Sequence, residues 1–156
     1  MPILIDFRFL YEDESEIDDA NIFEVLYAAF YFKLDPLESE CVKVLQDKVT
    51  VENVWLMLKE AISFDCHQLE EHCMLFFAEN TTTILKHKSF LTMPHDIVLK
   101  FCDSEELDCS EAFLFYSCVL WAKRKCQNLG KTVCEDNLKE IMCEILKKIR
   151  FHTMTR

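Results

Sequence analysis

The fold of this chain is predicted most clearly by the stretch "ENVWLMLKEAISFDCHQLEEHC", residues 52–73. Its apolar residues recur every three or four positions, which places them on one face of an α-helix. Thr50 is the expected N-cap of a first helix, and Asp65 is the expected start of a second. The residues expected to face inward are Val51, Val54, Trp55, Leu58 and Ile62, then Leu69, Cys73, Phe76 and Phe77. Two amphipathic helices with a short link predict an antiparallel pair.

The same periodicity continues on both sides of this stretch. It predicts a short helix over residues 3–11, a helix over 20–33, and further helices that begin at Asp35-Pro36, at Pro94 and at Ser110-Glu111. Asn80 and the three threonines after it are expected to interrupt the helices. The final helix carries a last set of apolar positions, Leu138, Ile141, Met142, Ile145, Leu146 and Ile149.

The helix that begins at Ser110 is predicted to be the longest and to be buried on two faces. The first face consists of Ala112, Phe115, Val119, Ala122 and Cys126. The second consists of Phe113, Tyr116 and Leu120. Gly130 follows this helix and is expected to end it.

Composition supports an all-α fold of antiparallel helix pairs. The 156 residues include one glycine and three prolines, whereas 51% are hydrophobic, so turn-forming residues are scarce and a core is available. The net charge is −11. Residues 1–115 contain 24 acidic and 8 basic side chains, and residues 116–156 contain 4 and 9. An acidic body disfavours nucleic acid and anionic membrane as partners.

The acidic run "YEDESEIDD", residues 11–19, raises the question of a calcium loop. A possible loop from Asp13 to Glu24 spans twelve residues, which is the length of an EF-hand calcium loop. However, Ile17 offers no side-chain oxygen at the fifth position, and Asp18 replaces the glycine needed at the sixth. We interpret the run as a solvated turn in which Asp18 or Asp19 caps the next helix.

The nine cysteines raise the question of zinc or disulfides. No C-x-x-C motif occurs, and His67 and His72 are five residues apart, whereas a helical zinc pair needs four. A site that joins Cys66 to His72 or Cys73 stays open, but we expect core thiols, no metal and no cofactor. The chain starts without a signal-peptide pattern and lacks an apolar run of about eighteen residues, so we expect reduced thiols and a cytoplasmic protein.

Catalytic motifs are not evident in the sequence. A single glycine leaves no room for a phosphate loop, a dinucleotide turn or a nucleophile elbow. Nothing local supports a Cys-His nucleophile. We therefore expect a non-enzymatic protein.

The order of motifs resembles the BTB-BACK family. "FLYEDESEIDDANIFEVLYAAFYFKLDPLESECVKVL" is similar to the C-terminal part of a BTB (POZ) domain. "ENVWLMLKEAISFDCHQLEEHC", "SFLTMPHDIVLKF" and "LDCSEAFLFYSCVLWAKRKC" resemble the BACK domain, and "KKIRFHTMT" resembles the "IRFPLMT" ending of BTB-BACK proteins with a PHR domain. The resemblance implies a partial BTB domain over residues 1–48 and a BACK domain over 50–156.

The resemblance also implies a function. Proteins of this kind are adaptors that dimerise, bind cullin-3 and present a substrate protein for ubiquitin transfer. The cullin-binding region maps to about residues 30–41 and 51–64. The implied contact residues are Tyr31, Phe32, Leu34, Asp35, Trp55 and Leu56. Trp55 and Leu56 have an alternative interpretation as core residues.

Departures from the family pattern keep other functions open. The first half of the BTB domain, with its hydrophobic-x-glutamate motif for cullin-3, is not found in the sequence, nor is a substrate-binding domain. We therefore expect either a piece of a longer adaptor or a truncated relative. The alternative functions are a helical interaction scaffold without cullin binding, which contacts other BTB-BACK chains, and a metal-dependent or thiol enzyme.

Overall fold

The computed structural model describes residues 21–149. Over this range the chain forms helices and no strand, which confirms the all-α prediction. The α-helices are α1 (Ile22–Phe32), α2 (Asp35–Asp47), α3 (Val54–Ser63), α4 (His67–Glu79), α5 (Thr81–Lys86), α6 (His95–Asp103), α7 (Glu111–Asn128) and α8 (Glu135–Lys148). A 3₁₀ helix, Lys88–Thr92, lies between α5 and α6. The predicted helix at 3–11 and the acidic run lie outside the described residues.

Consecutive helices pack as pairs, as the short links predict. α1 packs on α2, α3 on α4, and α7 on α8. The pairs are then joined, because α4 also contacts α2, α3 contacts α6, and α6 contacts α8. One continuous core therefore extends from Ile22 to Ile149. Each fully buried leucine or phenylalanine in it contributes about 1.5–3 kcal/mol to folding.

Two of the turns use a left-handed residue that is not glycine. Lys33 has φ 55° and Asp65 has φ 54°. In each turn the next residue donates its backbone N–H across the helix end: Leu34 to the Ala29 oxygen at 2.8 Å, and Cys66 to the Ala61 oxygen at 2.8 Å. This hydrogen-bond pattern ends a helix and reverses the chain within three residues. Asp65 therefore belongs to the turn, and α4 begins at His67, contrary to prediction.

The predicted N-caps of α1 and α3 were wrong. α1 has Asn21 at its N-cap instead of Asp18 or Asp19, and α3 has Asn53 instead of Thr50. The Asn53 amide organises the turn before α3: Oδ1 accepts from the Thr50 N–H at 2.7 Å and Nδ2 donates to the Lys48 oxygen at 2.9 Å. These two bonds stabilise a turn over residues 50–53. Because of this turn, α3 begins only at Val54.

The threonines after Asn80 begin α5, where an interruption was expected. Thr81 is buried, and its hydroxyl donates to the Phe77 oxygen at 2.8 Å. The same hydroxyl accepts from the Asp108 N–H at 3.2 Å. The buried hydroxyl is thus satisfied, and it ties the start of α5 to the segment before α7.

The inward face of α7 agrees only in part with the predicted one, of which Ala122 and Cys126 are buried. The buried residues are Leu114, Ser117, Cys118, Trp121, Ala122 and Cys126. Ala112, Tyr116 and Leu120 are exposed instead. The Trp121 indole N–H donates to the Met93 oxygen at 2.9 Å, so it fixes which side of α7 faces the 3₁₀ helix. Ser110 at the N-cap and Gly130, with φ 65° after the helix, confirm the predicted ends.

A similar correction applies to α3. Val54 and Leu58 are buried as predicted, but the remaining inward positions are Met57 and Ala61. Ile62 is 42% exposed. The helical period places residues 54, 57, 58 and 61 on one stripe, and Ile62 lies beyond its edge.

We expect Trp121→Phe to lower the free energy of unfolding by about 1–3 kcal/mol, because the buried Met93 oxygen loses its hydrogen bond. Urea denaturation measures the change. Tyr116→Phe on the exposed side of α7 is the matched control, with an expected change below about 0.5 kcal/mol. Equal effects of the two variants would contradict the packing described for α7.

The ion pair of Lys100 and Glu70 joins α6 to α4. The Lys100 ammonium, mainly through its hydrogen bond, lowers the pKa of Glu70 from its ordinary value of 4.5. Ionised Glu70 therefore stabilises the fold fully above that value, and the contribution is lost as pH falls through the lower pKa of the folded state.

We expect Lys100→Ala to destabilise the protein by roughly 0.5–1 kcal/mol at neutral pH, and this deficit to shrink as pH is lowered from about 6 to about 3. Denaturation of both proteins across this range measures the difference. Lys139→Ala, which removes an exposed pair with Glu135 inside α8, should cost less. A deficit that is independent of pH would show that the ion pair does not cause it.

Candidate protein-interaction surface

The last turn of α1 exposes three consecutive aromatic side chains. The helix is apolar on nearly every side, and its core face is already filled by Ile22, Val25, Leu26, Ala28 and Ala29. Phe30, Tyr31 and Phe32 consequently point outward, with 43%, 67% and 46% of their surface exposed. Large exposed aromatics are costly to hydrate, and they are typical anchors of protein interfaces.

The turn after α1 fixes where these aromatics lie. Lys33 adopts the left-handed conformation, and its N–H donates to the Phe30 oxygen at 3.2 Å. The helix thus ends directly after Phe32. Leu34 is half-buried below the turn, whereas Asp35 is exposed at the start of α2.

Ring contacts connect the end of α1 to the end of α3. Tyr27 packs edge-on against Phe64 with ring centroids 5.8 Å apart. Tyr31 stacks on Tyr27 at 6.4 Å, and Phe32 meets Tyr31 edge-on at 5.1 Å. We call the set Tyr27, Phe30, Tyr31, Phe32 and Phe64 the aromatic surface. Aromatic pairs in these geometries contribute about 0.5–1.5 kcal/mol beyond their burial.

Sequence reasoning missed Tyr27 and Phe64 as members of this surface. The spacing of Tyr27 and Tyr31 by four residues was a usable signal, because such residues are neighbours on one helix face. Phe64 could not be found in this way, since its contact with Tyr27 depends on how the two helix pairs meet.

The other two predicted contact residues lie at the opposite end of α3. Nine residues separate Trp55 from Phe64, or about 13 Å of helix. Trp55 is half-buried against the core, and its buried indole N–H has no hydrogen-bond partner among residues 21–149. Leu56 is 40% exposed. The six predicted residues therefore fall into two separate groups. Tyr31, Phe32, Leu34 and Asp35 lie at the turn between α1 and α2, and Trp55 and Leu56 lie at the start of α3.

Six of the nine cysteines pack as apolar side chains in the core, whereas Cys109 is half-buried and Cys134 and Cys143 are exposed. Cys41, Cys66, Cys73, Cys102, Cys118 and Cys126 are buried, and all nine are free thiols. Burial raises the pKa of Cys41 to about 11 and that of Cys73 to about 12. These thiols stay protonated at neutral pH, which makes them poor nucleophiles.

The candidate zinc residues differ in their exposure, and His72 is half-buried. Cys66 and Cys73 face the core, while the His67 ring is exposed near Asp65 and Glu70. Over residues 21–149 no group of three or more His, Cys, Asp or Glu side chains is arranged to hold a metal ion. Most of the candidate calcium loop lies outside the described range. Among the described helices none is long and apolar enough to span a membrane.

Comparison with known proteins assigns the family. Residues 54–156 match the family model "BACK: BTB And C-terminal Kelch". The chain is 23% identical over 152 residues to BTB/POZ domain-containing protein 6 of mouse and of human, which covers 97% of this chain and 28% of each relative. It is 22% identical over 147 residues to human BTB/POZ domain-containing protein 3, covering 94% of this chain and 28% of that relative.

The chain thus spans between a quarter and a third of the length of these relatives. Their similarity extends through α1 and α2, which precede the match to the family model. The chain belongs to the BACK (BTB And C-terminal Kelch) family as a BTB-BACK protein, and this membership supports a general role as a protein-interaction adaptor.

Proposed function

We propose that this chain acts in a substrate-recruiting adaptor of a cullin-3 ubiquitin ligase, and that the aromatic surface contacts the cullin. The exposure of Tyr31 and Phe32 at the end of α1 carries the proposal. A cullin helix that covers these rings would bury aromatic area which the fold leaves in water. The family resemblance supports the same region as the cullin contact.

The proposal assigns different roles to the two parts of the chain. Residues 1–48 correspond to a partial BTB domain and residues 50–156 to a BACK domain. Within residues 21–149 the two parts share one core, and the Gln46 amide donates to the Gln68 oxygen at 3.5 Å between α2 and α4. We infer that cullin binding at α1 is therefore held in a fixed geometry relative to the BACK helices, as an adaptor requires.

The remaining elements of the proposal concern chemistry and location. We propose that the protein is non-enzymatic and needs no cofactor, since its buried thiols are protonated and its role is to hold two proteins together. Nine free thiols suit the reducing cytoplasm. The proposed partners are cullin-3, a substrate protein and other BTB-BACK chains, with no role for nucleic acid or membrane.

We expect Tyr31→Ala combined with Phe32→Ala to weaken binding to the cullin-3 N-terminal domain by about tenfold or more, because truncation removes two aromatic anchors. Isothermal titration calorimetry measures the dissociation constants. The variant also loses the Tyr27–Tyr31 and Tyr31–Phe32 ring contacts, so its free energy of unfolding in urea should fall by about 1–3 kcal/mol, while its circular dichroism spectrum should stay helical.

Tyr116→Ala provides a matched control, since Tyr116 is 59% exposed on α7 and is outside the aromatic surface. It should leave cullin binding unchanged. If the double variant and the wild-type protein bound cullin-3 with equal affinity, the aromatic surface would be excluded as the contact. A complete lack of binding by the unchanged protein would favour the alternative function, a helical interaction scaffold without cullin binding.

A further inference from the structure

A groove with a volume of about 510 Å³ lies between the 3₁₀ helix, α7 and the turn before α3. This volume falls within the range of ligand-binding clefts. Its lining includes Glu52, His87, Lys88, Ser89, Leu91 and Arg124. None of these residues belongs to the aromatic surface, so the groove is a second candidate contact site.

Hydrogen bonds within the protein preform one wall of the groove. The Ser89 hydroxyl lies 3.3 Å from the Val51 oxygen and 2.7 Å from His87 Nδ1. His87 Nδ1 also accepts from the Ser89 N–H at 3.2 Å, which caps the 3₁₀ helix. His87 Nε2 lies 3.7 Å from Glu52 Oε1. These contacts fix the 3₁₀ helix against the turn over residues 50–53, so a ligand would meet an ordered surface.

The C-terminal end of the 3₁₀ helix is also held in place. Met93 directly follows the 3₁₀ helix, and its oxygen accepts the Trp121 indole N–H inside the core. Arg124 is one helical turn beyond Trp121 on α7. The distance across the groove is therefore set by buried packing, whereas Lys88 and Arg124 themselves are exposed.

Two basic side chains, Lys88 and Arg124, line this groove on a chain with 28 acidic and 17 basic residues. Neither forms an ion pair within the described residues, a property that they share with other exposed cations such as Lys59 and Lys147. The one carboxylate of the lining, Glu52, lies beside His87. What distinguishes Lys88 and Arg124 is their place in one groove with Leu91, a partly buried apolar residue.

We propose that this groove is a docking site for an acidic peptide segment of a partner protein. Carboxylates of the segment would pair with Lys88 and Arg124, and an apolar side chain between them would rest on Leu91. Charge complementarity favours this occupant, because Lys88 and Arg124 would attract its carboxylates, whereas the many acidic side chains of residues 1–115 would repel it. The proposal does not depend on cullin binding.

The test is a titration of the ¹⁵N-labelled chain with the peptide acetyl-DELEDL, followed by NMR. We expect the largest shifts at the amides of residues 87–92 and of Arg124. The double substitution Lys88→Glu and Arg124→Glu should weaken binding at least about tenfold, and added salt should weaken binding to the unchanged chain. Lys88→Gln with Arg124→Gln is a second variant that removes the two charges without reversing them, and well-dispersed spectra verify the folding of both.

Two controls separate this docking site from general electrostatics. Lys59→Glu with Lys147→Glu produces the same change of net charge at exposed positions outside the lining, and should retain binding within about twofold. The neutral peptide acetyl-NQLQNL should bind at least about tenfold more weakly than the acidic one.

Four outcomes would overturn the proposal. They are absence of shifts in the groove, equal binding by the neutral peptide, equal binding by both glutamate double variants, and identical shifts with inorganic phosphate at the same concentration. The last result would identify a site for small anions without selection for a peptide.

Discussion

The packing of α3 against α4 is the interaction on which the other contacts depend. α4 also contacts α2, and α3 also contacts α6, so this pair joins the first two helices to the last three. Its buried side chains include Leu58, Leu69, Cys73 and Phe77, each with no exposed surface. The left-handed Asp65 makes the reversal between the two helices possible without a glycine. Loss of this pair would expose both of its neighbours and break the continuous core.

The aromatic surface is a consequence of geometry at the edge of that core. An α-helix can turn only part of its circumference toward one neighbour. α1 is apolar on more of its circumference than α2 and the α3 end can cover, so its last turn retains exposed rings. The Tyr27–Phe64 contact holds this turn against the α3 end, which keeps the exposed rings in a defined position. An adaptor needs such a position, because a contact that moves freely loses entropy when it binds.

The two candidate contact sites would bind partners through different kinds of interaction. The aromatic surface offers apolar area, for which affinity comes from removing rings from water. The groove beside the 3₁₀ helix offers two cations on an otherwise acidic protein, which favours selection by charge. Both are built on ordered elements, since His87 and Trp121 fix the 3₁₀ helix while Lys33 ends α1. A protein with two such sites can hold two partners at once.

Local sequence patterns were sufficient to predict most helices of this protein. Helical periodicity predicted the helices and their pairing, Pro36, Ser110 and Gly130 marked helix ends, and ordered motifs identified the family. These features are local, so nearby residues suffice to predict them.

Which helix faces are buried, and which distant residues contact each other, depends on the tertiary structure. Tyr116 and Leu120 resemble core residues in sequence, yet the Trp121 bond to Met93 turns them outward. Ile62 is exposed because Met57 and Ala61 take its place in the contact. Phe64 contacts Tyr27, which is 37 positions away in sequence. Arg124 lines the same groove as Lys88, which is 36 positions away. Such contacts depend on how whole helices pack, and no local pattern encodes that arrangement.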